Sequence, residues 1–104
     1  MLELRPNCGL CDRDLPPQSA DARICSYECT NCVDCVEGVL LDVCPTCGGG
    51  VVPRPIRPVQ AWRPEMNLGL QDNPASTRRR QVKFDQADIA AHVARIRHLP
   101  PDRR

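Results

Sequence analysis

Eight cysteines confined to residues 8–47 constrain this chain more than any other feature. They read Cys8-x2-Cys11-x13-Cys25-x3-Cys29-x2-Cys32-x2-Cys35-x8-Cys44-x2-Cys47. A two-residue gap lets the backbone turn and aim both thiolates at one tetrahedral ion, with each sulfur about 2.3 Å away. Three such pairs, with Cys25 and Cys29 as a fourth of wider gap, are enough for two closed four-cysteine sites with no thiol left over.

Disulfides are the competing use of so many thiols, and the compartment decides. The N-terminal run Met1-Leu-Glu-Leu-Arg-Pro-Asn-Cys8 has neither the basic start, the apolar run nor the cleavage site of a secretory signal. The apolar stretch Val39 to Leu41 is far too short to span a bilayer. The expectation is a soluble, cytoplasmic protein with no membrane partner, whose reduced thiols bind metal. A staple is needed in any case. With three aromatics (Tyr27, Trp62 and Phe84) and 11 prolines, the chain cannot stabilise a domain of this size by apolar burial alone. Two structural Zn²⁺ ions are the expected cofactors, with Cys8, Cys11, Cys25, Cys29, Cys32, Cys35, Cys44 and Cys47 as ligands.

Two pairings are open. Sequential binding joins Cys8, Cys11, Cys25 and Cys29, then Cys32, Cys35, Cys44 and Cys47. Interleaved binding joins Cys8, Cys11, Cys32 and Cys35 on one ion and Cys25, Cys29, Cys44 and Cys47 on the other. Only two residues separate Cys29 from Cys32, which crowds two successive knuckle units but suits a cross-brace.

These gaps resemble those of the RING finger, with Cys29 in place of the usual histidine, Leu10 before Cys11 and Pro45 after Cys44. Val36, Val39, Leu40 and Val43 fall at i, i+3, i+4 and i+7, matching the short helix that follows the third ligand pair in that fold; Gly38 weakens it. A closer resemblance covers Met1 to about Pro58. Met1-Leu-Glu-Leu-Arg-Pro-Asn-Cys8, Asp14-Leu-Pro-Pro17, Ala22-Arg-Ile-Cys25 and Cys44-Pro-Thr-Cys-Gly-Gly49 are similar to the bacterial domain-of-unknown-function family 1272. That resemblance implies a bacterial source and a cysteine-rich zinc fold.

Closed four-thiolate sites leave no open position for water or substrate and so cannot serve as a hydrolytic Lewis acid. His92 and His98 lie far from the cysteines in sequence. The Gly48-Gly49-Gly50 run lacks the lysine and following helix of a phosphate loop and reads as a tight turn around metal. The expectation is therefore no enzyme. RING spacing invites a ubiquitin-ligase-like role by fold analogy. Leu10 could line the groove that grips a conjugating enzyme, but Gly48 stands where a basic linchpin is usual, and Leu40 and Leu41 replace the helix aromatic.

Charge divides the chain. Residues 1–50 hold three arginines against eight carboxylates, and residues 51–104 hold eleven basic side chains against five carboxylates. The tail begins with Pro53-Arg-Pro-Ile-Arg-Pro58 and Trp62-Arg-Pro64, which favour extended polyproline-like chain. Trp62 is either a contact on the head or an anchor for a partner. Arg78, Arg79, Arg80 and Lys83 form a basic cluster without interleaved aromatics; it either touches nucleic acid or lies against the acidic head. Asp85 as N-cap, Asp88 at N3, the Phe84/Ile89 staple and Pro100-Pro101 delimit a helix with an Ile89, Val93, Ile96 stripe. His92 sits at the edge of that stripe as a boundary residue. Such a helix is marginal alone and must dock on the head, on its own copy or on a partner.

The expected architecture is a small metal-stabilised α+β fold. It has a RING-like or treble-clef two-zinc cross-brace over residues 1–52, a disordered Pro/Arg linker over 53–83 and an amphipathic helix over 84–99. The expected function is a non-enzymatic protein-interaction module whose head or helix binds another protein, with nucleic-acid binding through the basic tail as the alternative.

Overall fold

The computed structural model describes residues 1–104. Its centre is a three-stranded antiparallel sheet of order β2-β1-β3, with β1 at Ala22–Ile24, β2 at Thr30–Cys32 and β3 at Val52–Pro53. Ala22 opposes Cys32, and Ile24 opposes both Thr30 and Val52. Pro53 is tolerated because β3 is an edge strand that need not donate at that position. The β1–β2 turn carries Cys25 and Cys29, with Glu28 in the left-handed region at φ 67°.

From β2 the chain runs directly into α1, Val33–Cys35, which continues as a π-type segment, Val36–Leu40. Leu41 and Asp42 end it in left-handed conformations, at φ 48° and 67°. The helical segment thus starts earlier than the apolar spacing indicates and closes after one widened turn at Gly38. The widened turn changes which residues face inward: Val36, Leu40 and Val43 are buried, whereas Val39 is 52% exposed. Val39 is the member of the expected stripe that the structure removes.

The apolar interior is small and divided. One cluster joins Val36, Leu40, Val43 and Val51 with Cys25 and Cys44, and the other joins Leu15 and Ala22 with Cys8 and Cys32. Cysteines occupy the positions that larger side chains fill in an ordinary core.

Helix α2, Gln86–Ile96, is capped by Asp85, whose carboxylate accepts the Asp88 N–H at 2.8 Å. Its bounds fall inside the expected 84–99 because Phe84 and Asp85 are staple and cap, and the chain after Ile96 loosens before a 3₁₀ turn at Pro101–Arg103. Ile89 and Val93 are buried in the larger core cluster and Ile96 packs at its edge. The helix therefore docks on the head of its own chain.

The expectation of a disordered linker over residues 53–83 is corrected. Arg54 is 4% exposed, and its guanidinium donates to the backbone oxygens of Arg5 (2.8 Å), Pro16 (3.1 Å) and Leu15 (3.3 Å). Burial first, and then the neighbouring Arg57, push the Arg54 pKa down from its ordinary value. Arg57 donates to Leu2 O and Asn73 O. Further on, Ser76 N–H donates to Leu4 O and Val82 N–H to Gly9 O, so this stretch runs beside the N-terminal segment in the same direction. Arginine forks reaching bare carbonyls, not apolar burial, fix a segment whose composition alone favours a solvated chain.

Residues 58–70 form a loop closed by Leu70 N–H donating to Pro58 O at 2.9 Å. Within it Trp62 is 76% exposed. No helix is long and apolar enough to cross a membrane.

Candidate metal centre

The fold gathers the cysteines into two groups: Cys8, Cys11, Cys32 and Cys35, and Cys25, Cys44 and Cys47, with the sulfurs of each group within 4.8 Å of one another. The grouping follows the interleaved alternative, and the reason lies in β2. Cys29 immediately precedes this strand and Cys32 ends it. Three steps along an extended chain reverse the side on which a side chain emerges, so neighbouring ligand pairs are sent to different clusters.

In the first cluster the Sγ atoms of Cys11 and Cys32 are 3.7 Å apart. A disulfide requires about 2.05 Å. Sulfurs bonded at about 2.3 Å to a tetrahedral ion are separated by about 3.8 Å, so the spacing fits a shared metal. Cys8 is fully buried, and its sulfur accepts the N–H of Leu10 at 3.4 Å and of Cys11 at 3.5 Å. The thiolate is the metal-binding form of cysteine. Burial raises the pKa values of Cys11 and Cys35, while amide and thiol donors from Cys35 outweigh burial at Cys32 and lower it.

The second cluster is built from the β1–β2 turn and the Cys44–Gly50 knuckle. Tyr27 N–H donates to Cys25 Sγ and Gly49 N–H to Cys47 Sγ, each at 3.3 Å. Gly48, at φ 79°, makes the turn that lets its N–H reach Cys44 O. Cys29 lies outside the mutually close set, with Cys44 and Cys25 as neighbouring thiols. The influence of the Cys44 thiol comes first for both residues, holding Cys29 down at about 5 and pushing Cys44 well up. All the donors are thiols, the soft set that suits tetrahedral Zn or an iron–sulfur centre.

Around these clusters lie groups that the sequence does not announce. Asn7 is buried beside Cys8; its amide donates to Asp12 Oδ1 and Arg80 O, and its oxygen accepts Arg80 N–H. Arg79 bonds the Asp12 carboxylate and backbone oxygen and the Asp14 carboxylate, whose hydrogen bond is the main cause of its raised pKa. Arg80 reaches Glu3 at 3.2 Å. Half of the basic cluster therefore lies against the acidic head, while Arg78 and Lys83 stay exposed. His92 is no member of either cluster; its Nε2 lies 3.0 Å from Cys44 O. Beside the first knuckle, a groove of about 590 Å³ is bordered by Leu10, Val39, Val82, Phe84 and Ile89.

Comparison with known proteins agrees with the N-terminal location of the clusters. The profile of a family described as a protein of unknown function (DUF1272) matches residues 1–57. A protein of Rhizobium meliloti strain 1021, described as uncharacterized, is 53% identical over 79 residues, covering 76% of this chain and 84% of the relative. No solved structure matches the chain.

Proposed function

The chain belongs to the DUF1272 family, and from that premise we propose that it is a non-enzymatic protein-interaction module held together by two structural Zn²⁺ ions in a RING-like cross-brace. Cys8, Cys11, Cys32 and Cys35 would hold one ion, and Cys25, Cys29, Cys44 and Cys47 the other. Cys29, the remaining cysteine and a neighbour of Cys25 and Cys44, would move inward as fourth ligand. The ions would supply cross-links and charge neutralisation only, because a four-thiolate shell has no vacant position for chemistry.

The observation that carries the interaction reading is the loop over residues 58–70. Val59, Trp62, Met66 and Leu68 are each more than half exposed on a segment closed by its own hydrogen bonds. Asn73 reinforces the closure by donating to Asn67 O at 2.6 Å. Gly69 lies so close to Val59, Gln60 and Ala61 that an added Cβ would fall within 2.9 Å of their backbone. A closed loop presenting Trp and Met to solvent suits an anchor for another protein, since such residues dominate binding energy at interfaces.

The ligase-like alternative gains no support at Gly48. A side chain there is strained by φ 79°, and its Cβ would stand 3.1 Å from Ile96 Cδ1, so Ile96 would have to shift to admit a basic linchpin. Nucleic-acid binding would rest on Arg78 and Lys83, because Arg79 and Arg80 are engaged with carboxylates of the head.

The test is capture of partners from the native cell with the full chain, compared with Trp62→Ala and Phe84→Ala. The proposal expects a protein lost with Trp62→Ala and kept with Phe84→Ala. Equal capture by the wild type and Trp62→Ala would refute the loop as anchor.

A further inference from the structure

We propose that helix α2 and the chain that follows it are a working part of the second metal site, so that docking of residues 86–104 and metal retention by Cys25, Cys29, Cys44 and Cys47 form one coupled equilibrium. The inference rests on the metal reading above and adds to it a dependence that cysteine spacing alone does not contain.

Four residues of the C-terminal segment converge on the Cys44–Gly50 knuckle. His92 Nε2 lies 3.0 Å from Cys44 O. A carbonyl oxygen only accepts, so Nε2 carries the proton and His92 is the donor. Ile96 caps Gly48, where a Cβ would come within 3.1 Å of its Cδ1, and Pro101 lies against Gly50 in the same manner. Arg104 donates to Asp42 O at 2.8 Å and Gly48 O at 3.4 Å, on either side of Cys44 and Cys47. From below, Cys25 and Cys44 share a core cluster with Ile89 and Val93. The knuckle backbone that positions two sulfurs is thus held by a segment about fifty residues away.

No hydrogen bond from residues 86–104 reaches the first knuckle. It is braced instead by residues 79–82, where Val82 N–H donates to Gly9 O and Arg79 donates to Asp12 O. Coupling of this kind is reciprocal. If the docked helix strengthens the second site, loss of that metal must loosen the helix, uncovering Ile89 and Val93 together with Val36, Leu40 and Val43. His92 acts here as a positioning residue: it touches a ligand's carbonyl and not the ion.

The test uses the full chain loaded with Zn²⁺ and challenged with a chromogenic chelator. Release is followed alongside the amide resonances of Leu10 and Gly49, which are bonded to sulfurs of different clusters. His92→Ala and Ile96→Ala are expected to speed release from the second site roughly three- to tenfold while leaving the first site unchanged. His92→Gln, which keeps an N–H donor, is expected to restore much of the retention. The first site is the internal control, because general destabilisation would accelerate both. Equal acceleration of both sites, or unaltered release in His92→Ala, overturns the coupling while leaving the metal reading intact. A wild-type chain that binds no Zn²⁺ overturns both.

Discussion

The two cysteine clusters share one donor chemistry and differ in what holds them in place. The first draws its four mutually close sulfurs from residues 8–35, where Cys8 is sealed in and β2 delivers Cys32, and its knuckle is braced by Arg79 and Val82. The second has three sulfurs in that relation with Cys29 beside them, and its knuckle is gripped by residues from the far end of the chain. The lesson is that a shared set of four thiols does not make identical sites. A knuckle's rigidity depends on what packs behind it.

Substitutions can break or sharpen this contrast. The largest effect is expected from Cys8→Ser. A structural zinc site contributes on the order of 10 kcal/mol, comparable with the whole stability of a small domain. That variant should lose amide dispersion throughout. Cys47→Ser, at an exposed ligand, should lose one ion and the protection of α2 from hydrogen exchange, yet keep the first cluster and its β1–β2 pairing. Equal collapse of the two variants would erase the distinction between the sites.

Next in size, Leu40→Ala removes a fully buried side chain from the cluster that seats α2. It should cost about 2–5 kcal/mol in denaturant unfolding, with α2 exchanging before the sheet. Arg54→Ala strands the carbonyls of Arg5, Leu15 and Pro16 and should cost about 2–3 kcal/mol. Its damage should fall on the first-cluster side, read as faster exchange near Leu15 with α2 unaffected. Arg79→Ala should have the smallest effect, because its partners Asp12 and Asp14 are solvent-exposed and salt already screens such pairs. The difference from wild type should vanish at high ionic strength.

Much of this was legible in the residues. Cysteine spacing marked the groups that come together, the close approach of Cys29 and Cys32 favoured interleaving, and the Asp85 cap with the Ile89, Val93, Ile96 stripe located α2. These signals are local, set by turn geometry and helical period. What could not be read was the course of residues 53–83. Arg54 in a Pro-Arg-Pro context has no local mark of burial, since its partners are backbone oxygens dozens of residues away. Asn7 likewise reads as an ordinary residue before Cys8 until Arg80 arrives beside it. Apolar spacing points Val39 inward because it assumes an α-helical turn, whereas the segment widens there to a π-type turn.

Intact-mass measurement under native conditions, paired with an amide spectrum recorded before and after a strong chelator, addresses the central claim most directly. The account predicts a chain carrying two zinc ions whose spectral dispersion collapses when they are removed. A bare chain whose resonances stay well spread in chelator would contradict it.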